Sequence, residues 1–209
     1  MPAQHFDPAD QRRRQILEAA VACFAQTGFH QTSMHDISAE AGISVGLIYR
    51  YFKNKEEVIS ALAAEHKAEI AQLLERARQA PTLLESLEIL FTSHCCEDAP
   101  QVVSSFVVDL FAEAGRNDKV ARILRDVVRT KAKGVSDLIA RSPEAKRLRN
   151  GLAPETIAEM IFALNDGTLM RSVLQPKRMS AGEQRKRQLD VARTLWRLLF
   201  EAQKRPAYA

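Results

Sequence analysis

The chain predicts an all-α fold: an N-terminal three-helix helix-turn-helix unit and a larger C-terminal helical block, about nine helices in total. Three observations carry this. Apolar residues recur at helical spacing in nearly every segment. Glycine and proline are few, eight of each in 209 residues, and they fall mostly at segment ends. Runs of alternating β-branched residues, the mark of strands, do not occur. At 46% hydrophobic and 27% charged, the composition is that of a globular protein long enough to bury a sizeable core.

The elements follow in order. A first helix is expected over 10–26, with Ile16, Leu17, Ala20, Val21 and Phe24 on one face and Gly28 behind it as a left-handed cap. Ser33 caps a short helix with Asp36 at its third position; it turns Ile37 and Ala41 inward and stops at Gly42. Ser44 caps a second short helix that ends near Phe52. Asn54, with Glu57 three residues on, opens a long helix carrying Val58, Ile59, Leu62, Ile70, Leu73 and Leu74 toward Pro81. Five more helices are expected over 82–97, 99–115, 118–141, 154–175 and 181–203. Pro143, Pro154 and Pro176 mark their ends or starts, and Ser180 with Glu183 forms another capping pair. Residues 142–152 read as an exposed basic connection. The domains expected are 1–56 for nucleic acid and 57–209 for ligand binding and dimerisation.

Several classes are excluded. No apolar run reaches the ~18 residues of a membrane span, because Asp109 breaks the longest candidate. Arg12, Arg13 and Arg14 precede an apolar stretch that carries Glu18, a poor signal peptide, so a cytoplasmic location is expected. Cys23, Cys95 and Cys96 are odd in number and lack ligand spacing, which argues against a disulfide framework or a zinc site. Cys95 and Cys96, with no basic neighbour, read as small buried groups, and His94 as packed. The chain has no His-Glu-x-x-His, no glycine-rich nucleotide loop and no Gly-x-Ser-x-Gly, so no enzyme, metal or cofactor is expected.

The net charge of +4 is unevenly spread. Residues 1–57 hold six Lys/Arg and seven Asp/Glu, residues 115–150 eleven and four, residues 175–205 nine and three. The positive excess thus lies away from the segment that points to DNA.

That segment is Ser44–Lys55, reading SVGLIYRYFKNK. With the short helix before it, it has helix-turn-helix spacing, whose second helix enters the major groove. At about 100° per residue, Ile48 and Phe52 fall together toward a core. Arg50 points away with Gly46 and Leu47 beside it, and Tyr49 and Tyr51 flank that face. Such a surface has donors for phosphates and apolar edges for thymine methyls.

The ordered set Thr27-Gly28-Phe29, Thr32-Ser33, Ile37-Ser38, Ala41-Gly42-Ile43-Ser44, Gly46, Leu47, Ile48-Tyr49, Tyr51-Phe52 and Lys55 resembles the DNA-binding segment of the tetracycline-repressor (TetR) family of transcriptional regulators. The resemblance covers about 10–62 and implies roles by position. Ser33, Met34 and His35 match the groove edge. Ser44, Val45, Gly46 and Leu47 open the helix that meets base edges. Tyr49 and Tyr51 match phosphate- or base-contacting aromatics and Lys55 a phosphate contact, while Arg50 joins the DNA-binding set from its outward position on the helix. Val45 stands where a polar residue is often found, which favours a thymine methyl there. The family also implies a homodimer on a palindromic double-stranded DNA operator, released by a small-molecule effector.

For the larger half, the candidate pocket residues are Phe91, Phe106, Leu110, Phe111 and Phe162, with Asn165 and Asp166 orienting a polar end of the ligand; simple core packing is the other reading of each phenylalanine. The apolar stripes of the last two helices place Met160, Leu164, Leu195, Trp196 and Leu199 in the dimer interface; packing inside one chain is the other reading of the same stripes. The basic excess suggests an anionic effector or an anionic protein partner; solvated helix faces are the other reading of the same charges. A helical adaptor that binds protein without reading DNA is the alternative function.

Overall fold

A computed structural model describes residues 8–92, 100–148, 151–174 and 180–200. Among these the secondary structure is helical throughout: α1 Pro8–Gln31, α2 Met34–Glu40, α3 Val45–Tyr51, α4 Lys55–Arg78, α5 Leu83–Thr92, α6 Pro100–Ala114, α7 Asp118–Arg141, a 3-10 helix Pro143–Arg147, α8 Pro154–Ser172 and α9 Ala181–Phe200. No described helix is long and apolar enough to cross a membrane. Cys95, Cys96 and His94 lie outside the described residues, as does the side chain of Phe91.

The caps expected from the sequence form. The Ser33 hydroxyl accepts from the Asp36 N–H at 3.1 Å, and Asp36 Oδ2 accepts from the Ser33 N–H at 2.8 Å. Ser180 and Glu183 make the same reciprocal pair. Asn54 Oδ1 accepts from the Glu57 N–H at 2.9 Å at the head of α4. Pro154 takes a first-turn position of α8. Two details differ from expectation. α1 breaks at Gly28, into two helical stretches joined by a kink, but the φ of 81° and ψ of 158° there are not those of the expected left-handed cap; they are an extended mirror conformation that glycine alone adopts without strain. Residues 143–147 form the 3-10 helix rather than an open connection, and Glu144 accepts the Leu83 N–H at 3.3 Å, which ties that segment to the start of α5.

The chain divides into two compact units, one of 1–67 with 101–127 and one of 68–100 with 128–209, so α4 and α7 each give their first part to the first unit. The first unit has one core. Ile16, Leu17, Ala20 and Phe24 of α1, Ile37 of α2, Ile48 of α3 and Val58 and Ile59 of α4 close it with Leu110 of α6 and Val120 of α7. Each fully buried aliphatic or aromatic side chain is worth about 1.5–3 kcal/mol. Phe24 stacks on Phe106 at 5.9 Å and meets Phe29 at 5.3 Å.

In the second unit α9 packs on α5, where Leu84 and Leu87 meet Leu195, Trp196 and Leu199, and Glu88 accepts from Arg193 Nε at 2.6 Å. At the α4–α7 crossing there, a Cβ on Gly134 would run into the Leu74 side chain, which would have to shift.

Candidate nucleic-acid interface

The short helix α3 owes its orientation to two anchors. Ile48 is fully buried and Phe52, its C-terminal cap residue, nearly so. The Arg13 guanidinium covers the Phe52 ring at 5.1 Å, a cation–π contact from α1. Ser44 Oγ accepts the Leu47 N–H at 3.3 Å and starts the helix. The turn before it is closed by Gly42 at φ 63°, and Gln15 of α1 donates to the Ala41 carbonyl at the end of α2.

With that side fixed, the opposite arc faces outward. Tyr49 is 51% exposed and Val45 37%, Arg50 is exposed, and no atom lies within 4 Å of where a Cβ on Gly46 would be. The outward face is therefore Val45, Gly46, Tyr49 and Arg50. Leu47 and Tyr51, read from the sequence as part of the face, are half-buried at its edge, and Tyr51 packs against the core. The shift arises because burial of both Ile48 and Phe52 rotates Tyr51 inward along with them.

On α2, Ser33 and His35 are exposed. Met34, placed at the groove edge by the sequence, is only 7% exposed and belongs to the core, since the first turn of α2 leans on α1. Lys55 is half-buried. Its ammonium donates to the Phe29 and His30 carbonyls and stands 4.6 Å above the Phe29 ring. Burial holds its pKa below the ordinary lysine value, against the opposing pull of Glu56, Glu113 and Asp36.

The residues expected in the effector site fall in both units. Phe106 and Leu110 join the core beneath the helix-turn-helix, and Phe111 is half-buried in the same unit. Phe162, Asn165 and Asp166 are half-buried in the second. Burial pushes the Asp166 carboxyl above its usual range, with Lys131 acting against it. Burial also lowers the Lys131 ammonium, opposed by Asp166 and Glu69. Of the expected dimer residues, Met160 is exposed and Leu164 half-buried, while Leu195, Trp196 and Leu199 turn toward α5. Trp196 stacks on Phe200 at 3.9 Å. In the first unit, Asp109 of α6 meets the Phe29 N–H and Glu113 meets Arg116; the sequence marks them only as carboxylates set in an otherwise apolar run.

Comparison with known proteins agrees with this geometry. Residues 16–62 match the family model of bacterial regulatory proteins of the tetR family, and residues 96–197 match that of the BetI-type transcriptional repressor C-terminal part. The fatty acid metabolism regulator protein of Bacillus subtilis is 24% identical over 165 residues, 78% of this chain and 84% of the relative. Two solved structures share the fold. GusR of Salmonella enterica has a TM-score of 0.76 at 24% identity over 95% of this chain and all of its own. FadR of Bacillus subtilis, solved in complex with stearoyl-CoA, has a TM-score of 0.69 at 21% identity over 86% of this chain and 96% of its own. Both family models are those of transcriptional regulators, not of enzymes, and FadR is named as a transcriptional regulator. With its two models matched in order along one chain, the protein belongs to the TetR family of bacterial transcriptional regulators.

Proposed function

We propose that the protein is a homodimeric repressor that reads a palindromic operator with α3 and lets go when a small, partly apolar, anionic effector binds. Residues 1–56 read DNA; residues 57–209 bind effector and dimerise. The observation that carries the reading is the two-sidedness of α3: Ile48 and Phe52 are buried while Val45, Gly46, Tyr49 and Arg50 form one open face. A helix so anchored can lie in a major groove with its glycine against the base edges. Ser33, His35 and Ser44 stand beside it for phosphate oxygens.

Stearoyl-CoA in the related FadR supports an effector with a long apolar part and negative charge. In this chain Phe162, Asn165 and Asp166 are the proposed contacts. Lys131, facing Asp166, is the cation that an acidic headgroup would engage in place of that carboxylate.

Duplex fragments retained by the full-length protein identify the operator. Arg50→Ala should then weaken binding about tenfold and reduce the slope of log affinity against log salt by about one. Unchanged affinity and slope would remove α3 from the interface. Release of the retained duplex by a long-chain acyl thioester, and not by a neutral ester of the same length, checks the effector class.

A further inference from the structure

The reading helix hangs from α1 and α2, and the joint between these two is gripped by a neighbouring helix. At Gly28 the backbone turns so that the Phe29 N–H points at α6, where Asp109 Oδ2 accepts it at 2.6 Å. Asp109 Oδ1 lies 3.2 Å from where a Cβ on Gly28 would stand. On the next two peptide units, Lys55 donates to the carbonyls of Phe29 and His30. One turn along α6, Glu113 is buried; its Oε1 accepts from Asn117 Nδ2 at 3.2 Å and its Oε2 faces the Arg116 guanidinium at 3.7 Å. Asn117 Oδ1 in turn accepts the Lys119 N–H at 3.1 Å at the start of α7. Two carboxylates on one face of α6 thus connect the α1–α2 joint with the α6–α7 corner.

A carboxylate taken out of water costs free energy unless hydrogen bonds repay it, so a group with a packing role alone would not be acidic here. A charged acceptor on a backbone N–H makes a short, strong bond. A glycine in this conformation also has many alternatives open to it, so the joint needs an outside partner to hold one of them.

We propose that Asp109, supported by Glu113, is a positioning residue for operator binding: through the Phe29 N–H and the joint shared with Lys55, α6 sets the angle at which α2 and α3 leave α1. The inference rests on the assignment of α3 as the DNA reader. It places control of affinity at a residue that has no part in the DNA-facing surface.

The test uses full-length protein and a duplex recovered by the wild type, at a temperature where circular dichroism shows every variant folded. Asp109→Ala should lose at least about tenfold in affinity, equal to about 1.4 kcal/mol. Asp109→Asn, which keeps an acceptor without the charge, should lose less. Hydrogen exchange at the Phe29 amide should quicken in the same order. Val120→Ala, a core substitution in the same unit, supplies the comparison: it should lower the melting temperature while leaving affinity within about twofold. Wild-type affinity in Asp109→Ala, or an equal loss in Val120→Ala, would overturn the proposal. Should Asp109→Ala not fold, the Asn variant and Glu113→Gln decide it by the same two readouts. If the wild type retains no duplex at all, the reading of α3 fails first and this proposal with it, whereas a retained duplex with indifferent Asp109 variants overturns this proposal alone.

Discussion

Gly46 is the second residue of α3, a place where alanine is the better helix former, and no neighbour forbids a side chain. At Gly134, by contrast, the Leu74 side chain stands where a Cβ would be. The vacancy at Gly46 therefore makes sense for a surface that another molecule approaches closely. Gly46→Ala should leave folding intact or raise stability by up to about 1 kcal/mol, since alanine is the better helix former. The same change should lower operator affinity at least about tenfold. Thermal unfolding and a mobility-shift titration measured side by side check this; a loss in both together would make Gly46 a folding residue.

At the scale of the element, α2 is seven residues long and too short to hold itself. Its stability comes from its buried face and from the Ser33–Asp36 box. The Ser33 hydroxyl and then its N–H hold the Asp36 carboxyl below its usual value. A folded-state value below the unfolded one means the charged form favours folding. That contribution is present above the unfolded carboxylate value and is lost as pH falls through the folded one. The destabilisation caused by Asp36→Asn should thus be constant from about pH 8 to 5 and shrink between about pH 4 and 3. Urea unfolding of the two proteins across that range measures it, and a difference that does not change down to the lowest pH would mean the charge is irrelevant to the cap.

For the whole molecule, the question is what covers the outer face of α8. Met160, Ala163, Gly167 and Met170 fall within about 80° of one another at ~100° per residue, and Leu174 follows in the turn after the helix. Leu174 is 84% exposed, and Leu198 on α9 is 61% exposed. An apolar surface of this kind marks an interaction site, and in the proposed repressor it is the place for a second copy. Leu198→Arg should shift the protein to monomer in sedimentation at micromolar concentration and lower operator affinity by two orders of magnitude or about 2.7 kcal/mol, because one head meets only a half-site. A dimer that persists with Leu198→Arg would place the contact elsewhere.

The sequence alone determined the helices, their caps and the helix-turn-helix, because these follow from local spacing and from hydrogen bonds between residues three or four apart. The anchors of the reading face, Ile48 and Phe52, were legible for the same reason. Which partner a stripe meets was not. Periodicity marks Leu195, Trp196 and Leu199 as one apolar face, but only the packing of α9 on α5 turned that face inward and left Leu198 outside. Phe106 looked like a pocket wall until its stacking on Phe24 placed it in the core under the reading head. Asp109 and Phe29 are 80 residues apart, and no local pattern could pair them. Tertiary structure decided these points because burial and long-range hydrogen bonds depend on which surfaces meet in space, and residue spacing along a single helix carries no information about that.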